Sequence, residues 1–252
     1  MAIVRNGGLK VCQMEIKTAP LSPRNVYNDD KFKNKLFEFI KEREGSKNKI
    51  YIDSEGLPTI GVGYLLMDKD NKQQTWKSDF KQAGINLSEE QVKNLDKLLK
   101  DLAKIPRNEK IEIGEKKISK RQDWIDKHYY NNKLNNQIEI LQEQEEALFD
   151  VIIPRYKNVV KEQIGDKAYN DLKNSDEMII LVSLAFNNPN LIGPNLTKTI
   201  KDGDRAAAWY EIRYNSNKTR HHGLQNRRVA ESNNFGLYYD ESNITKQEAN
   251  DI

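Results

Sequence analysis

One stretch of the chain, from Lys49 to Leu66, has the composition of a β-hairpin, and it limits the fold more than any other feature. Its two β-rich runs, NKIYID and LPTIGVGYLL, flank a turn at Ser54-Glu55-Gly56. Pro58 places the second run at a sheet edge or at the start of a strand, because proline cannot donate a backbone hydrogen bond. The chain after Leu66 has helical patterning. We therefore predict an α+β, mainly α fold with one small hairpin.

The predicted helices follow from apolar residues that recur three and four positions apart. A short helix covers Phe32 to Glu44 and ends at Gly45, a residue type that is common just after a helix. Two later segments open with predicted capping boxes, at Ser88 with Gln91 and at Ser119 with Gln122. Further helices are predicted over Glu143 to Ile152, over Asp176 to Asn187 after an N-cap at Ser175, over Asp204 to Tyr214 and over Leu224 to Ser232.

The length of 252 residues fits one large domain or one domain with an insertion. Residues 1–30 contain glycines and prolines without a sustained period, and we expect an N-terminal arm there that includes Cys12 and Met14. Residues 31–66 form an N-terminal lobe of one helix and the hairpin. Residues 67–138, rich in Lys, Asn, Gln and Asp, are a helical insertion or interlobe region, and residues 139–252 are a helical C-terminal lobe and tail.

Composition excludes several classes of protein. The formal net charge is +3 and both signs are interspersed, which argues against a nucleic-acid partner. One cysteine permits neither an internal disulfide nor a structural zinc site. The N-terminus lacks the apolar run of a secretory signal, and no window has the roughly 20 apolar residues of a membrane span. We expect a monomer that is made in the cytoplasm, has no integral membrane segment and needs no cofactor.

The return strand of the hairpin has an unusual face. Side chains alternate along a strand, so Thr59, Gly61 and Gly63 share one face, while Tyr51 and Asp53 share a face of the first strand. A face of threonine and two glycines buries little apolar surface, but it allows a bulky ligand to approach the backbone closely. We therefore expect this face to line a cleft.

Two carboxyl groups are placed next to that expected cleft. Glu44 stands at the C-terminal end of the first helix, where the helix dipole favours its protonated form. Asp53, on a polar strand face close to the hydroxyl of Thr59, has more reason to be ionised. One carboxylic acid and one carboxylate in different environments are the usual arrangement for hydrolysis of a glycosidic bond.

The complete pattern resembles the phage-type lysozymes of glycoside hydrolase family 24. Eight residues separate Glu44 from Asp53, five separate Asp53 from Thr59, and the motif Thr-x-Gly-x-Gly follows. The resemblance implies a two-lobed fold and an inverting muramidase, in which Glu44 is the acid and Asp53 and Thr59 position the attacking water. The presence of the aspartate argues against a lytic transglycosylase, which needs no activated water.

Three further stretches are similar to that family. Leu181 to Asn187 resembles its central buried helix, Gly223 to Arg228 its Gly-Leu-x-x-Arg-Arg segment, and, more weakly, Leu141 to Phe149 the helix that opens its C-terminal lobe. The chain departs from the family at Tyr64, where many members carry histidine in a supporting role, so the pH dependence is expected to differ. The resemblance implies that Arg227 or Arg228 pairs with the catalytic glutamate. The expected substrate-binding residues are Tyr51, Gly61, Gly63, Phe186, Asn187, Arg227 and Arg228.

The resemblance leaves the biological setting open. An endolysin released through holin pores and an antibacterial effector delivered by a secretion system would both act on periplasmic peptidoglycan without a signal peptide. An effector would also imply an immunity or inhibitor protein as a partner. The alternative from another class is a non-catalytic glycan-binding or structural module of a phage tail or secretion assembly.

Overall fold

The computed structural model describes residues 21–114, 116–130, 137–216 and 222–238, so Cys12 and Met14 of the expected arm lie outside the described residues. The chain forms two compact units. The hairpin unit consists of residues 37–154, and the helical unit consists of the described residues up to Leu36 and from Arg155 onward. All candidate residues around the predicted β-hairpin therefore belong to one unit.

The first helix, α1 (Asp29–Glu44), begins as its sequence dictates. The side chain of Asn28 accepts a hydrogen bond from the backbone N–H of Lys31 at 2.9 Å and so caps the helix, and two aspartates occupy the first turn. Phe32, Leu36 and Ile40, spaced four apart, are completely buried. The helix ends at Glu44, as predicted from Gly45.

The predicted hairpin is present and carries a third strand. β1 (Lys47–Ile52), β2 (Pro58–Gly61) and β3 (Tyr64–Leu65) form an antiparallel sheet in the order β1-β2-β3. Thr59 in the central strand lies opposite Tyr51 in β1 and Leu65 in β3. Pro58 opens β2, where a missing N–H does least harm to the ladder.

The rest of the hairpin unit is mixed. Its further elements are α2 (Trp76–Gln82), α3 (Glu89–Ala103), β4 (Lys110–Ile113), β5 (Lys116–Ser119), α4 (Lys120–Ile125) with a π-helical continuation (Asp126–Tyr130), and the first part of α5 (Gln142–Asp171). In the predicted capping box of α3, the hydroxyl of Ser88 accepts from the N–H of Gln91 at 3.1 Å, and the Gln91 side chain accepts from the N–H of Ser88 at 2.9 Å. That box is confirmed.

Two expectations for residues 67–138 are wrong. The segment is not wholly helical, because β4 and β5 pair as a second antiparallel hairpin around Gly114, whose φ is +61°. Ser119 does precede a helix, but its hydroxyl makes no capping hydrogen bond. Gln122 instead accepts a hydrogen bond at 2.8 Å from the N–H of Ile52, a tertiary partner that replaces the local one.

Helix α5 is longer than predicted. The predicted helix stops at Ile152, two residues before Pro154, but the observed helix continues through that proline and is interrupted only at Gly165, which has φ +82° and ψ 162°. Ile153 and Val160, before and after Pro154, are buried, and burial of apolar side chains favours the helix although proline lacks a backbone donor.

The helical unit surrounds α6 (Asp176–Asn187), whose residues from Glu177 to Ala185 are buried. As predicted, Ser175 caps it by accepting from the N–H of Met178 at 3.2 Å. The other elements are a 3-10 turn (Pro189–Leu191), α7 (Pro194–Lys201), α8 (Arg205–Tyr210) with a π-helical turn (Glu211–Asn215), and α9 (His222–Phe235). In the described part of the chain no helix is both long and apolar enough to cross a membrane. The predicted α+β, mainly α class is confirmed.

Candidate active site

Glu44 is the last residue of α1, and the chain turns sharply after it. Gly45 has φ +73°, and its N–H donates to the carbonyl of Lys41 at 2.9 Å, which closes the last helical turn. An added Cβ would meet nothing within 4 Å, so it is the left-handed backbone that favours glycine here. The turn leads within three residues into β1, and this brings Glu44 close to the sheet.

Asp53 occupies a turn that its own carboxylate holds together. One oxygen, Oδ1, accepts from the N–H of Glu55 at 2.9 Å and from the N–H of Leu57 at 2.8 Å. The backbone of Asp53 also donates to the carbonyl of Leu57 at 2.9 Å and accepts from the N–H of Gly56 at 3.1 Å. The second oxygen, Oδ2, accepts no hydrogen bond from any residue that the structure describes. One oxygen is thus fixed, and the other is available to a water or a substrate.

The ionisation of Asp53 is balanced between opposing effects. Burial raises the pKa of its carboxyl above the ordinary value, and the negative charge of Glu55 adds to this effect. The hydrogen bonds from the amides of Leu57, Glu55 and Gly56 lower the pKa because they stabilise the carboxylate. The net shift is upward, towards the range in which a carboxylate is a more effective base.

Thr59 is linked to Asp53 through the backbone of one residue, Leu57. It is 1% exposed, and its hydroxyl donates to the carbonyl of Leu57 at 3.1 Å. That same carbonyl accepts from the N–H of Asp53, and the N–H of Leu57 donates to the Asp53 side chain. The backbone of Leu57 therefore fixes Asp53 and Thr59 relative to each other. Two side chains that together position one water molecule would need such an arrangement. The role of Thr59 in holding that water stays a prediction.

Tyr51 lies opposite Thr59, and nearby carboxylates affect the pKa of its hydroxyl. Burial, and then the negative charges of Asp53, Glu44 and Glu145, raise the pKa of the Tyr51 hydroxyl to about 12. The ammonium of Lys47 lies 4.5 Å from the centre of the ring. The charges of Glu44 and Asp53, which were predicted as a pair, thus both act on the Tyr51 hydroxyl. Binding of substrate by Tyr51 stays a prediction.

Glu145 is a residue of this region that sequence reasoning missed. It lies in the first turn of α5 and is only 6% exposed. Its Oε1 accepts a hydrogen bond from the hydroxyl of Ser46, and its Oε2 lies 3.6 Å from the ammonium of Lys41. One signal was present in the sequence. Leu148 and Phe149, three and four residues on, place Glu145 on the apolar face of its helix.

The two glycines of the Thr-x-Gly-x-Gly motif have a structural explanation. Gly61 and Gly63 have φ values of +61° and +70°, a region that favours glycine. A Cβ on Gly61 would lie 3.2 Å from Ile140 and 3.4 Å from Glu145, so this side of β2 packs against the chain itself. Binding of substrate by Gly61 and Gly63 stays a prediction.

Tyr64, the position at which the family pattern usually has histidine, is buried. Its hydroxyl donates to the carboxylate of Asp79 at 2.7 Å, and the hydroxyl of Thr75 donates to the same oxygen at 2.9 Å. The ring of Tyr64 also packs on Phe80 in α2 with centroids 5.8 Å apart. Tyr64 therefore connects β3, the strand after the Thr-x-Gly-x-Gly motif, to helix α2.

The remaining candidate residues belong to the helical unit, where two of them, Arg227 and Arg228, contact a buried carboxylate. Glu231 is 0% exposed and accepts a hydrogen bond from Ser183 at 2.7 Å. Arg227 donates to it at 3.2 Å, and Arg228 forms an ion pair with it at 2.9 Å. Sequence reasoning missed Glu231, although its spacing of four and three residues from the two arginines was a usable signal.

Two other predicted groove residues are held within this unit. Arg228 donates to the side chain of Asn187 at 2.9 Å, and the ring of Phe186 packs on Tyr156 with centroids 4.7 Å apart. Phe186 and Asn187 are both partly exposed. The expected pairing of Arg227 or Arg228 with Glu44, and the binding of substrate by these four residues, stay predictions.

Among the described residues, no group of three or more His, Cys, Asp and Glu side chains is arranged to hold a metal ion.

Neither a protein-family model nor a curated protein sequence matches the chain. Among solved structures, the chain is similar to the endolysin from Escherichia coli O157:H7 phage FAHEc1, with 18% sequence identity, coverage of 84% of this chain and 94% of that chain, and a TM-score of 0.45.

Proposed function

We propose that the chain is a peptidoglycan hydrolase, an inverting N-acetylmuramidase that cleaves the β-1,4 bond between N-acetylmuramic acid and N-acetylglucosamine. The observation that carries this proposal is the turn at Asp53, where one carboxylate oxygen is fixed by amides and the Leu57 carbonyl joins Asp53 to the hydroxyl of Thr59. Glu44 ends a helix, and Asp53 is fixed by amides through one oxygen only. The spacing of Glu44, Asp53 and Thr59, which resembles that of phage-type lysozymes, supports the choice of substrate.

In the proposed reaction, Glu44 donates its proton to the glycosidic oxygen as the bond from that oxygen to the anomeric carbon breaks. A water attacks the opposite face of the sugar, and its proton passes to Oδ2 of Asp53 as its oxygen bonds to the anomeric carbon. Thr59 holds that water together with Asp53. The products are two shorter glycans, and the new reducing end has inverted configuration. Proton exchange with solvent then restores Glu44 and Asp53.

The decisive test compares Glu44→Gln with Glu42→Gln. Glu42 lies two residues earlier in α1, and its exposed carboxylate pairs with Arg43. Purified peptidoglycan is incubated with each protein, and the released muropeptides are identified by mass spectrometry. We expect reducing N-acetylmuramic ends from the wild type and from Glu42→Gln, and none from a folded Glu44→Gln variant.

Other outcomes contradict the proposal in distinct ways. Anhydro ends would mean a transglycosylase, and a Glu44→Gln variant that stays active would remove the general acid. Absence of soluble products from the wild type, with binding to peptidoglycan retained, would indicate a non-catalytic glycan-binding module. The configuration of the first product, followed by NMR before mutarotation, tests inversion separately. If wild-type activity is found, capture of one small inhibitor from a producing strain distinguishes an effector from an endolysin.

A further inference from the structure

The turn that contains Asp53 is held by a segment that comes more than 50 residues later in the chain. This bracing segment, the described residues of 105–130, contains β4, β5 and α4 with its π-helical continuation. It falls within residues 67–138, which have no counterpart in the family pattern that the chain resembles. All of its contacts described below lie inside the hairpin unit.

Arg121 makes the central contact. Its side chain is 0% exposed, and its guanidinium donates at 2.9 Å to each of three oxygens, the carbonyl of Gly56, the carbonyl of Ile105 and the side chain of Asn71. These acceptors are neutral, and Arg121 forms no ion pair with a carboxylate of the described residues. Burial, and then the positive charge of Arg107, lower the pKa of Arg121 from its ordinary value. A buried cation whose partners among the described residues are all neutral is costly to the fold.

The guanidinium of Arg121 contacts the turn that contains Asp53, the candidate base. Gly56 belongs to the turn whose amides bind Asp53 Oδ1, and its own N–H donates to the Asp53 carbonyl. Arg121 therefore fixes this turn at Gly56, on the C-terminal side of Asp53. The backbone of Arg107 also lies against Gly56, where an added Cβ would come within 2.0 Å of the Arg107 carbonyl oxygen.

The next residue of α4, Gln122, fixes the chain on the N-terminal side of Asp53. Gln122 accepts from the N–H of Ile52, which directly precedes Asp53, at 2.8 Å. Tyr130, at the end of the segment, donates to the carbonyl of Ile50 at 3.0 Å. Two consecutive side chains, Arg121 and Gln122, thus hold the backbone on both sides of Asp53.

We propose that Arg121 and Gln122 are positioning residues, which hold the Asp53 carboxylate in the orientation that activates water. This inference rests on the proposed function for its consequence in catalysis, but the restraint itself concerns the Asp53 turn. A displacement of about 1 Å of a catalytic group can lower a rate about 100-fold, so loss of this restraint should affect turnover more than binding.

The test uses Arg121→Met and Arg121→Lys in the full chain, with Lys117→Met as the matched control. Lys117 is an exposed cation of β5 in the same segment and pairs only with Glu112 among the described residues. Gln122→Met, which removes the acceptor for Ile52, is the second test variant. The measurements are kcat and KM on peptidoglycan at a temperature where each variant is folded, and hydrogen exchange of the Glu55 and Leu57 amides.

We expect Arg121→Met to lower kcat about 10-fold or more with KM within about threefold. Exchange of the Glu55 and Leu57 amides should accelerate, while amides of α3 keep their wild-type rates. Arg121→Lys should be intermediate because it retains charge with fewer donors, and Lys117→Met should match the wild type. Gln122→Met should show the same pattern as Arg121→Met, and it decides the question if Arg121→Met does not fold.

A kcat within twofold of the wild type in the folded variants would overturn the proposal. So would exchange that accelerates throughout the hairpin unit with kcat falling only in step with the folded fraction, because that describes general stabilisation. If the wild type itself releases no muropeptides, the proposed function fails, and exchange alone decides. Acceleration confined to Glu55 and Leu57 would then support the restraint, and unchanged exchange would refute it.

Discussion

The hydroxyl of Ser46 donates a hydrogen bond to the buried carboxylate of Glu145, and this bond anchors the chain two residues after Glu44. Lys41, three residues before Glu44, lies 3.6 Å from the other oxygen of the same carboxylate. Glu145 thus contacts the chain on both sides of the candidate acid. The end of α1 is fixed by a side chain that comes about 100 residues later.

Glu145→Ala should therefore destabilise the protein and weaken activity. Loss of the carboxylate leaves the Ser46 hydroxyl and the half-buried Lys41 without this partner, and we expect a decrease of about 1 to 3 kcal/mol in the free energy of unfolding. Urea denaturation measures it. The control, Glu139→Ala, removes an ion pair with Lys49 in which both side chains are about half exposed, and should cost less than about 1 kcal/mol. Equal losses in the two variants would contradict the anchoring role.

Asp53→Asn should abolish activity and leave the protein at least as stable as the wild type at neutral pH. The pKa of Asp53 is raised in the folded state, so its contribution to stability falls as pH rises through that pKa. The amide variant does not undergo this loss, and its Oδ1 can still accept from Glu55 and Leu57. The gain should vanish below the ordinary aspartate pKa of about 3.9. Urea denaturation at pH 3 and pH 7 tests the sign, and a variant less stable only at pH 7 would contradict it.

The acid limb of kcat should respond to Glu55. Its negative charge raises the pKa of Asp53, so Glu55→Gln should move the acid limb to lower pH. The shift should be small, because Glu55 is exposed and its carboxylate lies 3.2 Å from the ammonium of Lys69. The measurement is a pH profile of kcat for the two proteins at constant ionic strength. A shift to higher pH would show that Asp53 is not the group that titrates on this limb.

Tyr64→Phe should lower the stability of the protein and leave its kcat nearly unchanged. The variant loses the hydrogen bond to Asp79 at the buried end of the ring, at an expected cost of about 1 to 3 kcal/mol. Activity well below the melting temperature should stay within twofold of the wild type. Tyr214→Phe, which removes the hydroxyl of an exposed tyrosine, should change stability by less than about 0.5 kcal/mol. A large fall in kcat for the folded Tyr64→Phe variant would instead give this hydroxyl a part in catalysis.

Glu231→Gln should be among the most damaging single changes in the helical unit. It removes the negative charge between two buried arginines, Arg227 and Arg228, and breaking such a buried pair costs about 3 to 5 kcal/mol. The comparison is Asp202→Asn, whose exposed carboxylate pairs with Lys198 on the surface of α7 and should cost less than about 1 kcal/mol. Thermal and urea unfolding of both variants give the result, and similar small losses would mean that Glu231 is not needed to hold the arginines.

Local signals in the sequence were sufficient where the partners are close along the chain. The helix end at Gly45, the capping box of Ser88 and the N-cap at Ser175 were all predictable, because each depends on residues at most four positions apart. Ser119 and Gln122 show the limit. They have the same spacing as Ser88 and Gln91, yet Gln122 binds Ile52, which is 70 residues away in sequence.

In the candidate site too, residues whose partners are close along the chain were predictable, and residues with distant partners were not. Glu44, Asp53 and Thr59 were recognisable as a local pattern, whereas Arg121 and Glu145 act through partners 65 and 99 residues away. The missed β4–β5 hairpin is a different case. Alternation of Ile111 and Ile113 with charged residues, followed by Gly114, was a readable β signal that the Lys-rich composition of the segment obscured.

Strand β1 lies at the edge of its sheet, and the outward-facing backbone groups of Asn48, Ile50 and Ile52 bond to Ile140, Tyr130 and Gln122. An uncovered edge of this kind recruits strands from other molecules. Removal of residues 105–130 would uncover the backbone groups of Ile50 and Ile52, and we expect the shortened protein to aggregate. The segment proposed to orient the Asp53 carboxylate therefore also covers part of an exposed sheet edge, and one deletion should affect both turnover and aggregation.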